Sequence, residues 1–337
     1  MSADDSQTVR PGSVAGEVSS AEPVHPRPPT PLPDEPPKKQ RDDLVRRVPT
    51  AAVLALGVGY IIVIGGYPYV ATVLLIGILG QLEFYRLIED KGARPLTGLG
   101  LGFGAAVIAV AYLGTDYLAM LLMTASLLFL MVAQLRKAQI TESLASISGT
   151  FFGVFYVAWL LSHAVLLRFF YTSAGAWFDS GQLLALELHP ESGIFFMFYG
   201  MAVLTLCDTG AYFAGRAWGR RKLAPEISPN KTIEGALGGL VTGTLGGLAC
   251  KAAFDLFWPH LSAAFPWEAA IPIGIVISVV GIVGDLVESL LKRDAQVKDT
   301  GQLLPGMGGI LDRADAPLLG LPVLYYLLLG YAFMRVG

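Results

Sequence analysis

Ionisable residues gather in three stretches of the second half of the chain, and in each the types and spacing suit phosphate chemistry. The first begins at Asp208, in an apolar segment, and continues through a basic run to Ser228-Pro229-Asn230-Lys231-Thr232-Ile233-Glu234-Gly235. A polar, Pro-containing turn that enters a helix presents backbone N–H groups and a lysine to an anion. A basic loop with an ordinary helix cap is the plainer alternative. The second stretch, Gly284-Asp285-Leu286-Val287-Glu288-Ser289-Leu290-Leu291-Lys292-Arg293, puts Asp285, Ser289 and Lys292 on one helical face, with Glu288 beside them. A solvated stripe at a helix end explains Lys292 and Arg293 better than Asp285, which lies about two turns deeper. The third runs from Lys298 and Asp299 through Gly301, Pro305, Gly306, Gly308 and Gly309 to Asp312, Arg313 and Asp315. Its glycines let backbone approach a ligand closely, and Asp312 and Asp315, three apart in a first helical turn, suit a hard cation. The competing view is a plain loop capped by aspartates.

Carboxylates, cations and a glycine-rich loop on one side of a protein are what phosphoryl or nucleotidyl transfer requires. Such reactions need little covalent help: metal and basic groups neutralise the polyphosphate and align nucleophile with leaving group.

The elements that must hold these residues are membrane helices. Apolar residues make up 53% of the chain and charged ones 15%, with a mean hydropathy of +0.56, which excludes an ordinary soluble domain of 337 residues. The net charge of −3 says less than the placement of the charges. About nine apolar segments recur near the length needed to cross the bilayer as helix: Val48 to Ile64, Tyr67 to Phe84, Thr97 to Leu113 (a short one), Tyr117 to Leu135, Gly149 to Phe170, Gly193 to Tyr212, Ala236 to Phe257, Ala269 to Leu291 and Ala316 to Met334. The expected fold is an all-α polytopic bundle. Basic clusters occupy alternate loops (Lys38 to Arg47, Arg86 to Arg94, Arg136 and Lys137, Arg216 to Lys231, Lys292 to Arg313), whereas 114–116, 179–191 and 259–268 hold no Lys or Arg. The positive-inside rule then puts the N-terminus inside and the C-terminus outside.

Residues 1–45 are rich in Pro, Ser and acidic side chains and read as a disordered cytoplasmic tail, lacking the pattern of a cleaved secretory signal. N-terminal helices follow over 46–190 and a catalytic membrane region over 191–337. Gly235, Gly239, Gly243 and Gly247 fall on one helical face that should pack closely on a neighbour. Gly98, Gly100, Gly102 and Gly104 also suit helix packing, with no strand before them to make a nucleotide loop. Cys207 and Cys250 form no CxxC pair and read as small buried hydrophobes.

From Ser289-x-Leu291-Lys292-Arg293 through Lys298-Asp299-x-Gly301-x-x-Leu304-Pro305-x-Met307-Gly308-Gly309-Ile310-x-Asp312-Arg313-x-Asp315, the chain resembles the signature of the phosphatidate cytidylyltransferases. The stretches from Ser228 and from Gly284 look like the same family. The likeness is specific from about Leu204 onward; earlier segments agree in hydropathy. Two positions depart: Met307 stands where the family pattern has histidine, and Ala314 replaces a larger aliphatic or threonine. None of His25, His163, His189 and His260 replaces that histidine in sequence. An ionised phosphate nucleophile needs no general base, so the change is compatible with activity.

The resemblance implies magnesium-dependent attack of phosphatidic acid on CTP, giving CDP-diacylglycerol and pyrophosphate, with potassium as a second metal. It implies metal ligands among Asp285, Asp312 and Asp315, and catalytic roles for Asp285, Lys292, Arg293, Lys298, Asp312 and Arg313. Substrate-binding roles fall to Asp208, Ser228, Asn230, Lys231, Ser289, Asp299, Gly308 and Gly309. The expected partners are CTP, phosphatidic acid and membrane lipids, not nucleic acid; a homodimer stays open. The expected location is a bacterial inner membrane, with the site facing the cytoplasm. Three alternatives remain: a CTP-dependent lipid kinase, a transporter, which would concentrate charge near the membrane midplane, and an inactive scaffold.

Overall fold

A computed structural model describes residues 53–136, 142–303 and 308–336. The tail and Met307 lie outside them. Asp42–Gly337 forms one compact unit. Among the described residues are nine apolar helices, labelled α1 (Val53–Ile64), α2 (Gly66–Asp90), α3 (Thr97–Ala111), α4 (Asp116–Gln134), α5 (Ser143–Arg168), α6 (Ser192–Trp218), α7 (Ile233–Phe257), α8 (Trp267–Asp294) and α9 (Leu311–Val336). Seven are long and apolar enough to cross a membrane; α1 and α3 are apolar but shorter. The protein is thus a polytopic helical membrane protein, as its hydropathy predicts. Helices are favoured here because a backbone in hydrocarbon must satisfy its own hydrogen bonds. Pro272 in α8 and Pro317 and Pro322 in α9 are accommodated inside the helices.

The small residues set how closely helices approach. A Cβ at Gly235, Gly239 or Gly243 of α7 would lie 2.8, 2.7 or 2.8 Å from the carbonyl oxygens of Ala211, Cys207 and Val203 in α6. The glycine face therefore packs backbone against backbone on α6, as expected. In α3 the pattern divides: Gly100 and Gly104 abut Tyr85 and Gln81 of α2, whereas Gly98 and Gly102 have open space. Cys207 is buried and Cys250 half-buried, and both are free thiols.

One feature departs from an all-helical reading. Ser228–Thr232, expected as a turn, is strand β2 of a hairpin whose other strand, β1, is Lys222–Ala224. Outside the apolar segments a strand pair can satisfy its backbone without a helix. Thr232 then caps α7, its Oγ1 accepting from Gly235 N at 3.1 Å. Glu234 accepts from the backbone N–H groups of Arg220 and Arg221 at 3.0 and 3.1 Å, which pins the hairpin to the first turn of α7.

The polar contacts mark two ends of the bundle. At one, Lys91 after α2 pairs with Asp294 of α8, and Arg293 Nε donates to Ile227 O of the hairpin at 3.4 Å. At the other, Arg168 of α5 is buried and donates from Nε to Ile62 O at 2.6 Å, covering a carbonyl that the end of α1 leaves open. Also there, Lys251 pairs with Asp255 at 2.5 Å, and Ser262 Oγ donates to the same carboxylate at 2.6 Å.

Candidate active site

Three carboxylates meet where α8 and α9 cross. Asp285 and Glu288 come from α8 and Asp315 from α9, and one oxygen from each lies within 4.8 Å of the others. Gly284 permits the meeting: a Cβ there would lie 2.8 Å from Asp315 O. Two lysines enter the cluster. Lys231, from β2, lies 2.5 Å from Asp285 Oδ2, and Lys292 lies 2.8 Å from Glu288 Oε2.

Among the described residues, several buried polar atoms of the cluster have no hydrogen-bond partner. Glu288 is 1% exposed, yet its Oε1 receives no hydrogen bond. Lys231 Nζ is in ionic contact with Asp285 but has no aligned acceptor. Tyr156, in the π-helical stretch Val154–Trp159 of α5, buries an unpartnered hydroxyl within electrostatic reach of Glu288 and Asp315. Buried polar atoms left without partners are costly, and π turns often occur at functional sites. Three converging carboxylates against two ammonium groups make an all-oxygen donor set with surplus negative charge, which fits a hard divalent cation.

Asp312, expected beside Asp315 as a ligand, is engaged elsewhere. Its Oδ1 accepts from Lys292 Nζ at 2.9 Å, and its Oδ2 accepts from Thr300 N, Thr300 Oγ1 and Gly309 N at 2.9, 3.0 and 2.8 Å. Among the described residues the grouping that could hold a metal contains Glu288 in its place. Asp312 ties the glycine-rich loop to the start of α9 and, through Lys292, to Glu288. Gly308, at φ +83°, turns the backbone here, where a Cβ would lie 2.7 Å from Asp312 Oδ2.

The loop has a second anchor, which sequence reasoning missed. Glu83 of α2 is 2% exposed and accepts from Thr300 Oγ1, Ile310 N and Leu311 N at 3.2, 3.0 and 2.9 Å. The available signal was the single charged residue in the segment Tyr67 to Phe84.

Beside the carboxylates is a cleft of about 510 Å³ between α6, α7, α8 and the hairpin. It brings together Asp208, Ser228, Asn230, Lys231 and Asp285, with Tyr212, Arg216 and Ile282 also lining it. Ser289 is half-buried one turn along α8, while Arg293, Lys298, Asp299 and Arg313 are exposed at the same end. Gly309 is buried against Thr300 and Glu83. A polar floor of this charge can receive phosphates, and the aliphatic walls can take part of a lipid.

The model of the cytidylyltransferase family matches residues 45–330, nearly all the described helices. The chain belongs to the cytidylyltransferase family. Its relatives include a phosphatidate cytidylyltransferase of Synechocystis, 34% identical over 82% of this chain and 94% of the relative. One of Bacillus subtilis is 31% identical over 85% and 98%, and a chloroplastic one of Arabidopsis thaliana is 29% identical over 90% and 75%. The cytidylyltransferase match therefore extends beyond the C-terminal stretches that carry the signature and includes α2 and α5, the helices that supply Glu83 and Tyr156.

Proposed function

We propose that this protein transfers the cytidylyl group of CTP to phosphatidic acid, giving CDP-diacylglycerol and pyrophosphate. The observation that carries this reading is the carboxylate cluster, set beside a cleft lined by Lys231 and Arg216 as well as Asp208 and Asp285, with aliphatic side chains at its walls. A phosphate oxygen of the lipid forms a bond to the α-phosphorus of CTP. The bond from that phosphorus to the bridging oxygen breaks, and pyrophosphate leaves with the electron pair.

Asp285, Glu288 and Asp315 would hold Mg2+, with K+ as a second cation; when bound, these ions neutralise polyphosphate charge. Lys231, Asn230 and Ser228 bind phosphate oxygens in the cleft, and Asp208 supports its polar side. Lys292 fixes Glu288 and Asp312 together. Arg293, Lys298 and Arg313 attract the nucleotide at the mouth, with Asp299, Ser289, Gly308 and Gly309 shaping the approach. The ionised lipid phosphate needs no general base, so no histidine is required. Acyl chains stay in the bilayer.

The site faces the cytoplasm of a bacterium, where CTP is made, with the N-terminus inside, the C-terminus outside and nine spans. The concentration of basic loops at the site's end supports this orientation. To test the reaction, purified full-length protein is given phosphatidic acid, Mg2+ and CTP labelled at either the α- or the γ-phosphate. Label from the α position should enter lipid as pyrophosphate is released. Label from the γ position in lipid would replace this reading with a lipid kinase, and transfer of neither would overturn both.

A further inference from the structure

We propose that Glu83 is a positioning residue for the transfer reaction: from α2, it holds the glycine-rich loop in the shape that presents Asp312 to Lys292 and thereby sets Glu288. Glu83 is 217 residues from Thr300 and 228 from Leu311, so no local rule joins them. Its carboxylate nevertheless binds both flanks of the loop. On one side it accepts from Thr300 Oγ1 at 3.2 Å, and on the other from the N–H groups of Ile310 and Leu311 at 3.0 and 2.9 Å.

The two N–H groups belong to the start of α9, where backbone donors lack helical partners and the helix dipole favours an anion. Glu83 therefore supplies from another helix the cap that a local side chain often gives. Two loop glycines reflect this: a Cβ at Gly301 or at Gly309 would collide with the Glu83 carboxylate.

Thr300 connects this anchor to the reactive end. Its Oγ1 lies 3.2 Å from Glu83 Oε2 and 3.0 Å from Asp312 Oδ2. The hydroxyl has one proton for two carboxylates, so their hold on the loop is coupled. Asp312 passes the constraint to Lys292 at 2.9 Å, and Lys292 to Glu288 at 2.8 Å. A chain of contacts thus runs from the middle of the sequence signature's loop to a carboxylate of the cluster, with its fixed point on a helix outside that signature. Sub-ångström placement of such groups matters because a displacement of about 1 Å can cost roughly 10²-fold in rate.

The test compares full-length wild type with Glu83→Gln, Glu83→Ala and Thr300→Val. Amide hydrogen exchange at Thr300 and 309–311 is followed without substrate, alongside kcat, KM for CTP and thermal unfolding. The exchange readout does not depend on the cytidylyl-transfer reading, whereas the kinetic readout does and is interpreted against wild-type turnover. Glu83→Gln keeps the shape and one carbonyl acceptor. It should unfold near the wild-type temperature, exchange faster at those amides and lose about tenfold in kcat, with a smaller change in KM. Thr300→Val combined with Glu83→Gln should cost less than the sum of the two, because they share one link. If Glu83→Ala does not fold, Glu83→Gln still decides. Wild-type exchange and wild-type kcat in Glu83→Gln would overturn the proposal. So would a loss of thermal stability with unchanged kcat per folded molecule, since Glu83 would then be only a buried cap.

Discussion

The two ends of the bundle both bury charge, but they settle it differently. At the end holding Lys251, one ammonium meets one carboxylate, Ser262 donates to that carboxylate, and Arg168 donates to the carbonyl oxygens of Ile62 and Val63. At the other, Asp285, Glu288 and Asp315 converge against Lys231 and Lys292, and Glu288 Oε1 and the Tyr156 hydroxyl have no hydrogen-bond partner among the described residues. Charge in an apolar helix is therefore a poor guide to function by itself, because a membrane protein also uses it to close helix ends. The proposed reactive end differs in that its carboxylates outnumber the lysines that enter the cluster.

The largest effect should come from neutralising that surplus. Asp315→Asn should lower kcat by roughly 10³-fold, the scale of charge stabilisation lost at a metal-dependent phosphoryl centre, in a protein that still folds. A steady-state assay with detergent-solubilised enzyme checks this. The mirror experiment is Lys251→Met at the opposite end. Removing one member of a buried pair costs about 3–5 kcal/mol. Because Asp255 is one-third exposed, the expected loss is nearer about 1–2 kcal/mol. Denaturation should register that loss while kcat per folded molecule stays at wild type. A fall in kcat with unchanged stability would break the contrast between the ends.

Legibility in the sequence follows how local each device is. Hydropathy alone places the helices, because crossing a bilayer is a property of one continuous segment: Ala236 to Phe257 is expected and α7 runs Ile233–Phe257. Asp285 and Asp315, which the structure brings together, stand in the sequence motifs singled out for phosphate chemistry. Asp312 shares a motif with Asp315, and its role as a loop clamp depends on backbone donors at Thr300 and Gly309 that only the folded loop supplies. Glu288 is visible on the Asp285 face but is distinguished only by the crossing with α9. Glu83 and Tyr156 are harder still, since their partners lie on helices far away in sequence. An acidic residue alone in an apolar segment was the trace left by Glu83, whereas Tyr156 looks like any membrane aromatic.

A smaller effect sharpens the same contrast. Tyr156→Phe removes only the unpartnered hydroxyl, and kcat should fall about tenfold, the value of one hydrogen bond to a charged group. Unchanged kinetics would make that hydroxyl a bystander. The smallest effect is expected at His260, which is exposed and rests edge-on against His189 with ring centroids 5.0 Å apart at the Lys251 end. His260→Ala should leave turnover unchanged and shift stability by less than about 0.5 kcal/mol.

The claim that Asp285, Glu288 and Asp315 form the cation-dependent centre is tested most directly by electron paramagnetic resonance of Mn2+ bound to full-length protein in detergent, with Glu288→Gln and Asp312→Asn compared with wild type. The account predicts that Glu288→Gln weakens Mn2+ binding at least tenfold, whereas Asp312→Asn keeps it within a few-fold although its turnover falls. Wild-type Mn2+ affinity in Glu288→Gln, with loss of binding in Asp312→Asn, would contradict it and return Asp312 to the ligand set.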